Sequence, residues 1–89
     1  MKSNLSEMHN APAVRALILA GQSLWDEAHE AIQDAEDRLS AAVHAYLHRR
    51  EGDIWNAHYW YRKAGRKAFL GSSEQELQTL MDEVQISRG

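Results

Sequence analysis

The chain is expected to fold as an all-α protein of four or five short helices in antiparallel hairpins. Three observations carry this expectation. No segment alternates apolar and polar residues at the period of a strand. Apolar residues recur instead at steps of three and four. Helix-stopping and helix-capping residues punctuate these stretches at Gly21-Gln22-Ser23, Gly52-Asp53 and Gly71-Ser72-Ser73.

Residues 1–10 are polar and are expected to form a flexible N-terminus, with one helical domain over residues 11–87. Asn10 is a candidate cap for a first helix, where Pro12 is tolerated in the opening turn. Ala13, Val14, Leu17, Ile18, Leu19 and Ala20 make this helix apolar on most sides, and Gly21 ends it. Ser23 is the expected cap of the second helix, with Asp26 and Glu27 in its electropositive first turn. Trp25, Ala28, Ile32, Ala35 and Leu39 form its inward stripe. Neither Gly nor Pro interrupts the run from Ser23 to Glu51. A single rod of that length would reach about 40 Å, long for so small a domain, so a break near Asp34–Arg38 is favoured over one continuous helix. Asp34 or Asp37 would then cap a third helix running to about Arg50.

Gly52 stops that helix and Asp53 caps the fourth, which should run to about Gly65 or Lys67. Ile54, Ala57, Tyr61, Ala64 and Ala68 define its expected inward face. Ser73 with Glu76 three residues on reads as a capping box for a last helix, with Leu77, Leu80, Met81 and Val84 as its stripe.

Eighty-nine residues make one domain, with a correspondingly thin stability margin. The absence of cysteine removes disulfides and thiolate metal sites from consideration. No apolar run approaches the ~18 residues needed to cross a bilayer. No secretory leader is recognisable, and the expected location is cytoplasmic. The net charge of −3 conceals a segregation. Residues 1–48 carry three basic and seven acidic side chains, residues 49–71 six and two, and residues 72–89 one and four. These segments can neutralise one another within the fold or across a homodimer, or the basic one can attract an anion.

Glu27-Ala28-His29 recurs as Asn56-Ala57-His58, 29 residues later, and in both places the next small or apolar positions follow at steps of four and three. They are Ile32 and Ala35 in one case, Tyr61 and Ala64 in the other, which suggests two related helix hairpins. Gly52-Asp53, Ala57, Tyr61 and Ala64, with Ala45 on the preceding helix, resemble a tetratricopeptide repeat over residues 38–66. His44 and His48 stand where that family carries a large aliphatic and an aromatic residue, and the spacing of 29 is short for it. The resemblance implies stacked hairpins and a protein-binding role. His48, Arg49, Glu51, Gly52, Asp53, Asn56, Ala57, Tyr59, Trp60, Tyr61 and Arg62 are also similar to a motif shared by a group of short microbial proteins of uncharacterised activity. That likeness implies a shared fold and no particular reaction.

His44 and His48 are one helical turn apart and so share a face. With a third ligand from His29, His58 or Glu51, such a pair can hold zinc or nickel. The Glu that a metalloprotease needs after the first His is replaced by Ala45. Alternatively the histidines point inward and bond to neighbours, with Tyr61, Asn56 and Glu27 as candidates. On either reading a polar pocket is expected, formed by His29, His44, His48, Asn56 and Tyr61, because an unpaired buried polar group costs about 1–3 kcal/mol.

The fourth helix also carries Trp55, Tyr59, Trp60, Arg62 and Arg66 off its inward face, a candidate surface for a protein partner or a second copy of the chain. Cation–π contacts would support such binding. Segment 49–67 is basic and aromatic enough to hold single-stranded nucleic acid, but the acidic pI of 5.9 argues against a dedicated nucleic-acid binder. No catalytic residue is assigned, and the leading expectation is a small protein-interaction module rather than an enzyme. Metal or ligand binding through the histidines is the alternative.

Overall fold

The computed structural model describes residues 5–84, with side chains from residue 12 onward. Five helices follow in order: α1 (Leu5–Gly21), α2 (Trp25–Ile32), α3 (Arg38–Arg50), α4 (Ile54–Ala64) and α5 (Ser73–Glu83). Among the described residues there is no strand. The expected all-α architecture is what forms. The remainder of the 1–10 and 11–87 division, at residues 1–4 and 85–87, lies outside the described residues.

The middle of the chain breaks where its acids allow. Residues 33–37 leave the helix, and the side chain of Asp37 accepts a hydrogen bond from the Ser40 amide at 2.9 Å. This gives one of the orphan amides of the first turn of α3 a partner. Asp37, rather than Asp34, is therefore the cap. Asp53 does the same for α4 by accepting from the Asn56 amide. Gly65 closes α4 in the left-handed conformation at φ 72°.

Three expected starts move. Helix α1 begins at Leu5, so Asn10 lies inside a helix instead of capping one, and Pro12 is an interior residue. Proline there removes one amide donor and crowds the carbonyl four residues back, and the good helix formers Leu5, Glu7 and Met8 ahead of it work against that cost. Ser23 does not cap α2. It adopts a left-handed turn at φ 64°, and Leu24 takes the cap position without a side-chain bond. At α5 the capping box is Ser72 with Gln75, one residue earlier than Ser73 with Glu76. Glu76 is thereby left out of the capping box, and its side chain is buried instead.

Helix α3 is the centre of the molecule. It packs on all four other helices, whereas α4 packs closely on α3 alone among the described helices. Its middle, Ser40 to Leu47, is buried without interruption. Small residues make this possible: Ala13, Ala16, Ala20, Ala28, Ala41 and Ala42 line the contacts and let backbones approach, while Leu17, Ile32, Tyr46, Leu47 and Leu80 fill the volume between them. A second cluster joins Ala45 of α3 to Ala57 and Tyr61 of α4, with Ala68 and Phe69 against it.

Because α4 packs closely on α3 alone among the described helices, its inward face is narrower than its sequence pattern. Ala57, Tyr61 and Ala64 are buried as expected, but Ile54 is 51 % exposed. It is the first residue of α4, directly after the Gly52-Asp53 turn.

The α3–α4 turn depends on Gly52, whose φ is 82° and whose surroundings are open within 4 Å of a modest side chain. Gly52→Ala meets no clash and pays only for the left-handed backbone, so a loss of about 1 kcal/mol is expected in urea unfolding. An unchanged midpoint would mean that the turn has another conformation.

Candidate metal centre

His29 arrives from α2, and His44 and His48 from α3, and their rings form one cluster. His29 meets His44 and His48 edge-on with ring centroids 4.6 and 4.7 Å away. His44 and His48 lie parallel at 5.1 Å, as expected for residues one turn apart. One nitrogen from each of the three lies within 4.8 Å of the other two. A tetrahedral ion with metal–nitrogen bonds near 2.0–2.1 Å needs ligands about 3.3 Å apart. The three histidines are grouped closely enough that they could form a metal site.

Trp60 supports this cluster from α4. Its ring stacks on His44 at 3.9 Å with 13° between planes, fixing the imidazole's orientation and excluding water from one side. Tyr59 meets Trp60 edge-on at 5.2 Å.

The electrostatics favour the neutral form of His44 and His48, the form a metal requires. Burial pushes His44 down to about 4, and the positive charges that His29 and His48 would carry push the same way. His48 is also lowered, first by burial and then by His29, against the upward pull of Asp53 and Glu51. A histidine that stays neutral at physiological pH has a lone pair to offer and no proton to displace.

His48 carries an unusual feature. Its Nδ1 is shielded from solvent and makes no hydrogen bond. The nearest acids, Asp53 Oδ2 at 3.4 Å and Glu51 Oε1 at 3.8 Å, stand beyond good hydrogen-bond geometry. A buried polar atom in that state costs free energy unless something else binds it.

The expected polar pocket therefore exists only in part. His29, His44 and His48 converge, but Asn56 and Tyr61 do not join them. The Asn56 amide nitrogen donates to Asp53 at 2.8 Å. The Tyr61 hydroxyl donates to Glu76 at 2.5 Å. Neither they nor the exposed Glu27 serves as the histidines' partner. His58, another candidate third ligand, is exposed on the outer side of α4 beside Trp55 and Arg62. The reason is angular: His58 directly follows the buried Ala57, about 100° around the helix.

The aromatic and basic candidates on α4 also divide. Trp55 is 86 % exposed and Tyr59 44 %. Arg62 is exposed and Lys63 lies over the Tyr59 ring. Trp60, by contrast, is turned toward His44, and Arg66 is held by Glu83 through two hydrogen bonds. Only Trp55, Tyr59 and Arg62 remain as an outward surface.

One polar residue gave no functional signal in the sequence. Glu76 is 3 % exposed, with one oxygen 2.8 Å from Arg49 and the other accepting from Tyr61. Arg49 also donates to the Gly71 carbonyl. Burial and this carboxylate raise the Tyr61 hydroxyl above the usual tyrosine range. The available signal was position, since Glu76 stands one turn before the buried Leu80 on the same stripe.

No described helix is long and apolar enough to cross a membrane. Comparison with protein-family models, curated proteins and solved structures finds no match for this chain.

Proposed function

We propose that this protein binds a divalent transition metal, zinc or nickel by ligand chemistry, through His29, His44 and His48. The observation that carries the reading is the convergence of three imidazole nitrogens within 4.8 Å, from two helices, in a chain without cysteine. The neutral state of His44, the stacked Trp60 and the unbonded Nδ1 of His48 support it. Imidazole suits zinc, copper and nickel, and geometry then selects among them.

The test is metal titration of the chelator-stripped protein, with thermal unfolding as the second readout. One equivalent should bind, and metal at 100 times Kd should add about 2.7 kcal/mol of stability. For a domain this size that is a rise in Tm of roughly 10–20 °C. His48→Ala should remove both effects. An unaltered Tm with excess zinc and nickel would end this reading.

A second reading rests on the outer face of α4. Ile54, Trp55 and Tyr59 are exposed by 51, 86 and 44 % on a helix that, among the described helices, packs closely on α3 alone. Such a surface suits a protein partner, as the tetratricopeptide-like pattern also implies, and a second copy of the chain is the simplest occupant. Sedimentation that shows a monomer at high concentration would remove the self-association half.

A further inference from the structure

The three histidines leave one position of a tetrahedral ion unassigned, and resting on the metal reading above, we infer that Glu51 fills it. Its two carboxylate oxygens face two of the histidines. Oε2 lies 3.5 Å from His29 Nδ1, and Oε1 lies 3.8 Å from His48 Nδ1. These separations are long for hydrogen bonds, whose N···O distance is about 2.7–3.2 Å. They approach the roughly 3.3 Å between two ligands of one tetrahedral ion. Both imidazoles present the same nitrogen, Nδ1, to this carboxylate, and the Nδ1 of His48 is the buried atom without a hydrogen bond.

Asp53 is the competing acid: its Oδ2 lies 3.4 Å from His48 Nδ1, nearer than Glu51, but among the described residues it meets only that one of the three histidines. Its oxygens accept from the amide and the side chain of Asn56, which caps α4. Among the described residues the Glu51 carboxylate makes no hydrogen bond and stands only against the two histidines. Its backbone is fixed all the same. Its amide bonds to the carbonyls of Leu47 and His48 at the end of α3, and Gly52 at φ 82° turns the chain immediately after it. The side chain is free to swing onto an ion while its Cα stays in place.

Glu51 on the ion has two consequences. A carboxylate lowers the net charge of three imidazoles and a dication from +2 to +1, which eases burial of the ion. Four protein ligands also make the site closed, of the kind that holds a metal and ties elements together rather than the kind that activates water. Here the ion would join α2, α3 and the α3–α4 turn.

Cobalt(II) is the probe, since its visible bands report tetrahedral coordination, and azide competes for any open position. The unaltered protein should show tetrahedral cobalt bands that azide leaves unchanged. Glu51→Ala should still bind cobalt, with bands that azide shifts. Glu51→Gln should bind zinc at least ~10-fold more weakly in competition with a chromophoric chelator. Azide-sensitive bands in the unaltered protein would overturn the assignment of Glu51 while leaving the three-histidine reading intact, and that measurement needs no variant. Equal zinc affinity in Glu51→Gln would do the same. No cobalt bands in the unaltered protein would overturn the metal reading itself and this inference with it.

Discussion

Glu76→Ala is expected to lower the unfolding free energy by about 2–4 kcal/mol, enough to threaten a domain whose margin is of order 5 kcal/mol or more. The carboxylate is nearly inaccessible and binds two groups at once, Arg49 on α3 and the Tyr61 hydroxyl on α4. Its removal leaves a guanidinium and a buried hydroxyl without their acceptor, and the penalty falls on the groups left behind. The lower end of the range reflects the 23 % exposure of the Arg49 side chain, which water can partly rescue. Because Glu76 ties α5 to Arg49 of α3 and Tyr61 of α4, the docking of α5 is where the loss should appear. Urea unfolding gives the total, and hydrogen exchange along residues 73–83 locates it. A double variant, Arg49→Met with Glu76→Leu, should lose less than the sum of the single changes, since it removes both charges together. A loss under about 1 kcal/mol in Glu76→Ala would show that the buried ion pair is not what holds α5.

The second large effect is a pH dependence set by His44. Its folded value is about 4, against an ordinary 6.5. Between those values the unfolded chain takes up a proton that the folded one refuses. Stability therefore rises with pH across this window, is complete above about 6.5, and is lost as pH falls toward 4. At about 1.4 kcal/mol per pK unit, His44 contributes up to roughly 3 kcal/mol of acid sensitivity. His48, lowered for the same reason, adds in the same direction. The measurement is the unfolding free energy at pH 7 and at pH 4.5 in excess chelator, for the protein and for His44→Gln. The variant should flatten the profile. Equal slopes in the two would mean that the cluster admits a proton without strain.

The histidine cluster and the Glu76 tie show where reading the sequence stops. The pairing of His44 with His48 is legible because helical geometry places residues four apart on one face. Their third partner is not, because His29 lies 15 residues before His44 on another helix. His29, His58 and Glu51 were equal candidates until packing arranged the helices. Trp60 looked like surface for the same reason: only the docking of α4 on α3 turns its ring onto His44. Glu76 looked like a cap because a Ser three residues before a Glu is the local pattern, and local pattern is what a capping box is. Ser72 and Gln75 satisfy it equally well, and the core decided between them by offering Glu76 two partners.

By itself the sequence determined the helical class, the break before Arg38 and the turn at Gly52-Asp53. These follow from backbone conformations and side-chain caps acting within a few residues. The tertiary structure alone decided which polar groups meet. That outcome depends on how helices rotate and stack, and an alanine-rich interface permits close approach without announcing its direction. The histidine cluster and the buried carboxylate both belong to this second class.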